Sequence, residues 1–155
     1  MANIAQIVNV LQSMILTNAE GGMVLTPTYH VFRMYNVHQD ATYIPLDITC
    51  NTIDVRGDRQ VPLLSATASK DAEGKVHISL SNVDVEHTCT VTINLEGISA
   101  KKATGEILTA TNLSDHNTFE QPELVVPTSF DGAKVKKDIL TVTLPAKSIV
   151  TLELQ

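Results

Sequence analysis

After His38 the hydrophobic period of this chain drops from that of a helix to two, and this change limits what the polypeptide can fold into more than any other feature. In Val76-His77-Ile78-Ser79-Leu80 and in Cys89-Thr90-Val91-Thr92-Ile93-Asn94-Leu95, apolar and polar residues alternate strictly. Successive side chains of an extended chain point to opposite faces, so each stretch has one apolar and one polar face and reads as a half-buried antiparallel strand. Leu140-Thr141-Val142-Thr143-Leu144 and Ile149-Val150-Thr151-Leu152-Glu153-Leu154 repeat the pattern, with Pro145 in the short link between them. Less regular strand candidates are 42–49, 60–68, 98–110 and 124–126, and Glu73-Gly74 and Asp131-Gly132 supply turn chemistry. Many short strands with no helix-length pattern among them predict a mainly β fold, an antiparallel β-sandwich over 39–155.

Residues 1–38 follow different rules. Ile4, Ile7, Val8 and Leu11 fall at i, i+3, i+4 and i+7, which predicts an amphipathic helix over 2–14. The run Met14-Ile15-Leu16-Thr17, a Gly21-Gly22 break and Met23-Val24-Leu25-Thr26 then read as extended chain. A second helix is predicted from Pro27 with Thr26 as its N-cap, carrying Val31, Met34 and Tyr35 on one face and ending near Val37 or His38. A helix that begins at residue 2 without a cap is expected of a chain entered in the middle of a larger fold. Helix, short strand, loop and helix in that order form the closing unit of a (β/α)₈ barrel, so the expected division is a barrel segment over 1–38 and a sandwich over 39–155.

Composition removes several function classes. A net charge of −6 is the wrong sign for phosphate backbones or anionic lipids, and the pairs Lys101-Lys102 and Lys136-Lys137 are too short for a basic patch, so no nucleic-acid partner is expected. No window approaches the ~18 apolar residues of a membrane helix, and no basic leader opens the chain, so it reads as a soluble, untargeted polypeptide with no membrane partner. Cys50 and Cys89 form no CxxC; Cys89 reads as a small residue on the apolar face of its strand, and pairing between the two stays open. The tripeptide Asn112-Leu113-Ser114 within the polar loop 112–121 matches a glycosylation sequon by pattern alone.

The residue types that carry chemistry are scattered. His30, His38, His77, His87 and His116 show no ligand spacing, so no metal and no cofactor are expected. There is no Gly-x-Ser-x-Gly elbow and no glycine-rich phosphate loop. Asp54, Asp58, Asp84 and Glu86, near Arg56 and Arg59, are the densest carboxylates, yet they sit in turn-like sequence and read as solvated charges. Aromatic residues make up 4% of the chain and Trp is absent, which is a poor supply of planar surface for stacking sugars.

Two stretches carry a family resemblance. Met1-Ala2-Asn3-Ile4-Ala5-Gln6-Ile7-Val8-Asn9-Val10-Leu11-Gln12 with Ile15-Leu16-Thr17, and Leu25-Thr26-Pro27-Thr28-Tyr29-His30-Val31-Phe32-Arg33-Met34-Tyr35, resemble the C-terminal part of α-L-arabinofuranosidases of glycoside hydrolase family 51. The 76–82 strand and the ending Leu144-Pro145-Ala146-Lys147-Ser148-Ile149-Val150-Thr151-Leu152 are similar to that family's sandwich in a more generic way. The resemblance implies a catalytic (β/α)₈ barrel followed by a jelly-roll sandwich, and a retaining hydrolysis of terminal α-L-arabinofuranosyl groups by two glutamates. Retention needs carboxyl groups about 5–5.5 Å apart, and both would lie on strands preceding Met1. No catalytic residue is therefore expected here, and the chain would be a structural, inactive accessory whose partner is the missing barrel.

The same resemblance places Thr26 where the family carries a polar side chain near the sugar. Tyr29 and His30 open the last barrel helix on the catalytic face, so Thr26, Tyr29 and His30 are the substrate-binding candidates, in the full-length parent only; the alternative for Tyr29 and His30 is packing between helix and sandwich. Ile4, Ile7, Val8 and Leu11 are expected either to pack on the sandwich or to form a patch that drives homo-oligomerisation. The alternative reading is a free-standing sandwich that binds arabinose-containing glycans or forms oligomers. The parent's compartment, cytoplasmic, periplasmic or secreted, is not encoded in these residues.

Overall fold

A computed structural model describes residues 4, 6–55, 57 and 59–155. In chain order the described elements are β1 (Ile15–Thr17), β2 (Met23–Leu25), α1 (Pro27–Tyr35) with a 3₁₀ turn at Asn36–His38, then β3 (Thr42–Ile44), β4 (Thr52–Val55), β5 (Arg59–Pro62), β6 (Leu64–Lys70), β7 (Val76–Asn82) and β8 (Cys89–Asn94). They are followed by β9 (Ala103–Thr109), β10 (Thr128–Phe130), β11 (Ala133–Lys136), β12 (Ile139–Leu144) and β13 (Ser148–Leu154). A six-stranded sheet ordered β10-β9-β13-β7-β6-β3 and a three-stranded sheet ordered β11-β12-β8 form the sandwich, with every pairing antiparallel. The pairs β1-β2 and β4-β5 stand as separate hairpins.

The alternation dictates the core. On β7, Val76, Ile78 and Leu80 face inward; on β13, Val150, Leu152 and Leu154 do so; from the small sheet, Leu140, Val142 and Leu144 of β12 meet them, all buried in one cluster. Register locks the faces together: Leu152 lies opposite Ile78 on one side and Gly105 on the other. Gly105 is required there, because a Cβ at that position would run into the Thr151 carbonyl oxygen and press on Leu152.

Helix α1 lies on the opposite face of the large sheet, where Met34, Leu108 and Val125 form a second buried cluster with Val31, Tyr35 and Ile149 packed on it. Its start is as the sequence predicts: Thr26 caps it by accepting from the Tyr29 amide, and Pro27 occupies the first turn. The result is three layers: helix, six-stranded sheet, three-stranded sheet.

The expected helix over 2–14 is the main correction, for its described part; residues 1–3 and 5 lie outside the described residues. Ile7 to Ser13 form bends and a turn, with Asn9 and Gln12 at positive φ. The Ile7 carbonyl accepts from the Met14 and Ile15 amides at 2.9 and 3.1 Å, and the Asn9 side chain brackets Thr17 with two 2.8 Å bonds. The 3.6-residue stripe finds no surface: Ile7 and Val8 are about half exposed and Leu11 is 94% exposed. A helix this short gains too little without a packed face, so the backbone bonds to the neighbouring strand instead. One α-helix, not two, therefore precedes the sandwich among the described residues.

Smaller differences share a cause. The 124–126 stretch is not a strand, because Asn117 takes up the backbone of Val125. The 60–68 candidate divides into β5 and β6, the 42–49 candidate shrinks to β3, and 98–110 to β9. Strands β4, β10 and β11 were not expected; each has at most four residues and owes its extension to a partner across the sheet.

Candidate functional site

The three substrate-binding candidates occupy one turn. Thr26 ends the β2 extension, and its hydroxyl donates to the Ser13 carbonyl at 2.8 Å, with the Met14 carbonyl at 3.2 Å, while its oxygen accepts from the Tyr29 amide at 3.4 Å. That hydroxyl is committed to fastening β1 to α1. Tyr29 is half-buried and stands edge-on to His30, with ring centroids 5.5 Å apart.

His30 is 8% exposed, and neither ring nitrogen has a hydrogen-bond partner among the described residues. Burial chiefly, and then the Arg33 guanidinium, push its pKa below the ordinary value, with Glu106 opposing. Arg33 and Glu106 form an ion pair at 2.6 Å that ties α1 to β9. His30 is thus held as a neutral ring by its burial, unsuited to accept a proton near neutrality.

The other histidines serve local structure. His77 pairs with Asp71 at 2.8 Å, His87 lies 3.2 Å from Asp84, and His116 bonds the Ser114 carbonyl. No three His, Cys, Asp or Glu side chains converge among the described residues. Asp84 holds its own loop by accepting from the Glu86 and His87 amides, bonds that keep its carboxyl below the usual range. Asp54 sits on the β4–β5 hairpin, away from that loop in the topology, and Asp58 and Arg56 lie outside the described residues. The exposed rings Tyr43 and Phe119 stand on β3 and on the loop before β10, so no paired aromatic platform forms from them.

Sequence reasoning missed the polar seam under α1. His38 reaches Ser69 of β6 with Nδ1 at 2.6 Å and Ser79 of β7 with Nε2 at 2.8 Å, and Ser79 continues to Thr151 of β13 at 3.0 Å. Ser69, Ser79 and Thr151 are all buried. The signal was present: outward positions of central strands carry small hydroxyls rather than charges, as suits a face that another layer covers. A further link was also missed. Asn117, 2% exposed, donates to the Leu25 and Val125 carbonyls and accepts from the Val125 amide, pinning the 111–127 loop to β2. This arranges Leu113, Phe119 and Leu124 as exposed apolar side chains on a loop fastened to the hairpin that bears exposed Met23.

Comparison with known proteins adds the context. A family model described as "Alpha-L-arabinofuranosidase C-terminal domain" matches residues 1–148. An "Intracellular exo-alpha-L-arabinofuranosidase" of Bacteroides ovatus is 63% identical over the whole chain, which spans 30% of that relative. The GH51 arabinofuranosidase of Xanthomonas axonopodis pv. citri superposes with a TM-score of 0.93 at 48% identity, over 100% of this chain and 31% of that one. The thermostable GH51 alpha-L-arabinofuranosidase of Thermotoga petrophila gives 0.85 at 28% identity, over 100% and 34%. The chain thus spans about a third of the enzymes it matches.

Proposed function

The chain belongs to the family of alpha-L-arabinofuranosidase C-terminal domains, and from that premise we propose that it is the accessory sandwich of an exo-acting, retaining α-L-arabinofuranosidase, together with the last segment of the catalytic barrel over 1–38. The two catalytic glutamates belong to the remaining part of such an enzyme, and this chain is inactive without it. The observation that carries this reading is the set of exposed apolar side chains on three linked segments: Ile7, Val8 and Leu11 before β1, Met23 on β2, and Leu113, Phe119 and Leu124 on the loop that Asn117 fastens to β2. Apolar side chains left open in this way suit a domain that packs against a catalytic barrel.

Within that assembly Tyr29 is the proposed sugar contact, since among the described residues its phenol takes no part in internal bonds like those that occupy Thr26. Thr26 and His30 hold the turn that presents it. The substrate is a chain bearing terminal α-L-arabinofuranosyl groups, as the names of the relatives suggest. The Bacteroides ovatus relative is called intracellular, and the same compartment is proposed here; no described helix is long and apolar enough to cross a membrane.

Complementation tests the proposal. The chain is mixed with the Bacteroides ovatus relative truncated before its matching region, and release of nitrophenol from a nitrophenyl α-L-arabinofuranoside is followed. The expected result is no hydrolysis by the chain alone and recovered hydrolysis in a co-eluting complex. Hydrolysis by the chain alone, or failure of a folded catalytic portion to bind it, overturns the reading.

A further inference from the structure

Beyond α1 the outward face of the six-stranded sheet opens into a groove. Its residues alternate with those of the core and form two rows across β9, β13 and β7: Glu106, Thr151 and Ser79 lie opposite one another in the first, and Thr104, Glu153 and His77 in the second. The groove has a volume of about 560 Å³ and is bordered by Val37 of the 3₁₀ turn and by Pro127 and Ser129 at β10. From the sheet, His77, Glu106, Thr151 and Glu153 line it.

Two hydrogen-bond acceptors stand in this groove already oriented. His77 is 7% exposed; its Nε2 donates to the Asp71 carboxylate at 2.8 Å, and its Nδ1 has no hydrogen bond among the described residues. A neutral ring with its hydrogen on Nε2 presents a lone pair at Nδ1, so a nearly buried side chain brings an unused acceptor to the groove that it lines. Glu106 is held in the same way. Its Oε2 accepts from the Arg33 guanidinium at 2.6 Å, and its Oε1 has no partner among the described residues. Glu153, next to His77 in its row, is fixed by Lys75 at 2.9 Å and Gln155 at 2.8 Å.

The same bonds select the ligand. Glu106 faces Arg33 and Glu153 faces Lys75, so the groove offers aimed lone pairs with little net charge. That arrangement suits the hydrogens of neutral hydroxyl groups rather than an ammonium group. Strand β13 separates β9 from β7, which puts Glu106 and His77 about 10 Å apart across two strand spacings. One sugar ring is too short for that span, and two linked rings fit it. We propose that this groove binds a neutral oligosaccharide of at least two units, whose hydroxyls donate to Glu106 Oε1 and His77 Nδ1. Only the choice of an arabinose-containing probe rests on the function proposed above.

The isotope-labelled chain is titrated with linear α-(1→5)-arabinotriose and followed by NMR of its amides and histidine ring nitrogens. Saturable shifts are expected at Thr104, Glu106, Thr151 and Glu153, with movement of the His77 Nδ1 resonance. Ser129 is exposed on β10, so Ser129→Arg should lay a long side chain across the groove without disturbing the core and weaken binding about tenfold. His77→Leu should do the same, and if it fails to fold, Ser129→Arg carries the test. Absence of saturable shifts, an equal response to glycerol, tighter binding of 1,4-diaminobutane, or undiminished binding by Ser129→Arg overturns the proposal. The shifts should persist in a complex with the catalytic portion of the Bacteroides ovatus relative; their loss there would assign the groove to a contact within the enzyme and overturn it as well. Binding by the chain alone is read without hydrolysis, so a failed complementation leaves this inference standing, and silence in the titration leaves the functional reading standing.

Discussion

The Nε2 atom of His38 lies 2.8 Å from the hydroxyl of Ser79, a serine with no exposed surface, and so joins the turn after α1 to the outward face of a central strand. With Ser69 on Nδ1, both ring nitrogens are satisfied by one neutral imidazole. Ser79→Ala leaves a part-buried nitrogen without a partner and should cost about 1–3 kcal/mol in urea unfolding.

Acid should act on the same contact. Burial, and then His77, hold His38 below its ordinary pKa of 6.5. The unfolded chain then takes up the proton first, so stability should be level above pH 6.5 and decline as pH falls below it. His38→Asn should make that decline shallower. An identical slope in the variant would remove His38 as its source.

His30 makes the opposite prediction for substitution. Its two buried nitrogens have no partner among the described residues, so His30→Leu should be neutral or stabilising, whereas His30→Ala should cost about 2–4 kcal/mol through the space it leaves. Thermal unfolding at pH 7.5 reads both. A loss above ~2 kcal/mol in the leucine variant would mean that the ring has a partner.

Asn117→Ala should release the 111–127 loop from β2. Three bonds of a buried amide are lost at once, which predicts a cost of about 2–4 kcal/mol and faster amide exchange at Val125. Unchanged exchange there would show that the loop is held by other contacts.

The exposed side chains of Leu11 and Met23 should drive weak self-association of the chain by itself. Sedimentation should show an average mass that rises with concentration, and Leu11→Glu combined with Met23→Glu should lower it to that of a monomer. A concentration-independent monomer without substitution would show that the surface is tolerated in water.

Much of the fold was legible because it rests on local rules. Strand β7 was read from Val76, Ile78 and Leu80 alone, and α1 from Thr26 and Pro27, whose cap and fixed φ act within one turn. The candidate site was legible in part: Thr26, Tyr29 and His30 do share a turn, but only the structure shows that Thr26 is occupied internally and that His30 is sealed from solvent. Asn117 gave no sign of its role, since a polar residue in a polar loop looks the same whether or not a distant backbone meets it.

Residue order alone sets which faces of the long strands are apolar and where α1 begins. These follow from side-chain periodicity and capping, which involve near neighbours. Only tertiary contacts settle that 7–13 is not helical, that His38 is held by two serines, and that Asn117 is bonded to the backbone of Leu25 and Val125. Each of these depends on a surface or a partner supplied from elsewhere in the chain: a helical stripe needs something to pack on, a buried nitrogen needs a hydroxyl from another strand, and a buried amide needs carbonyls to receive it.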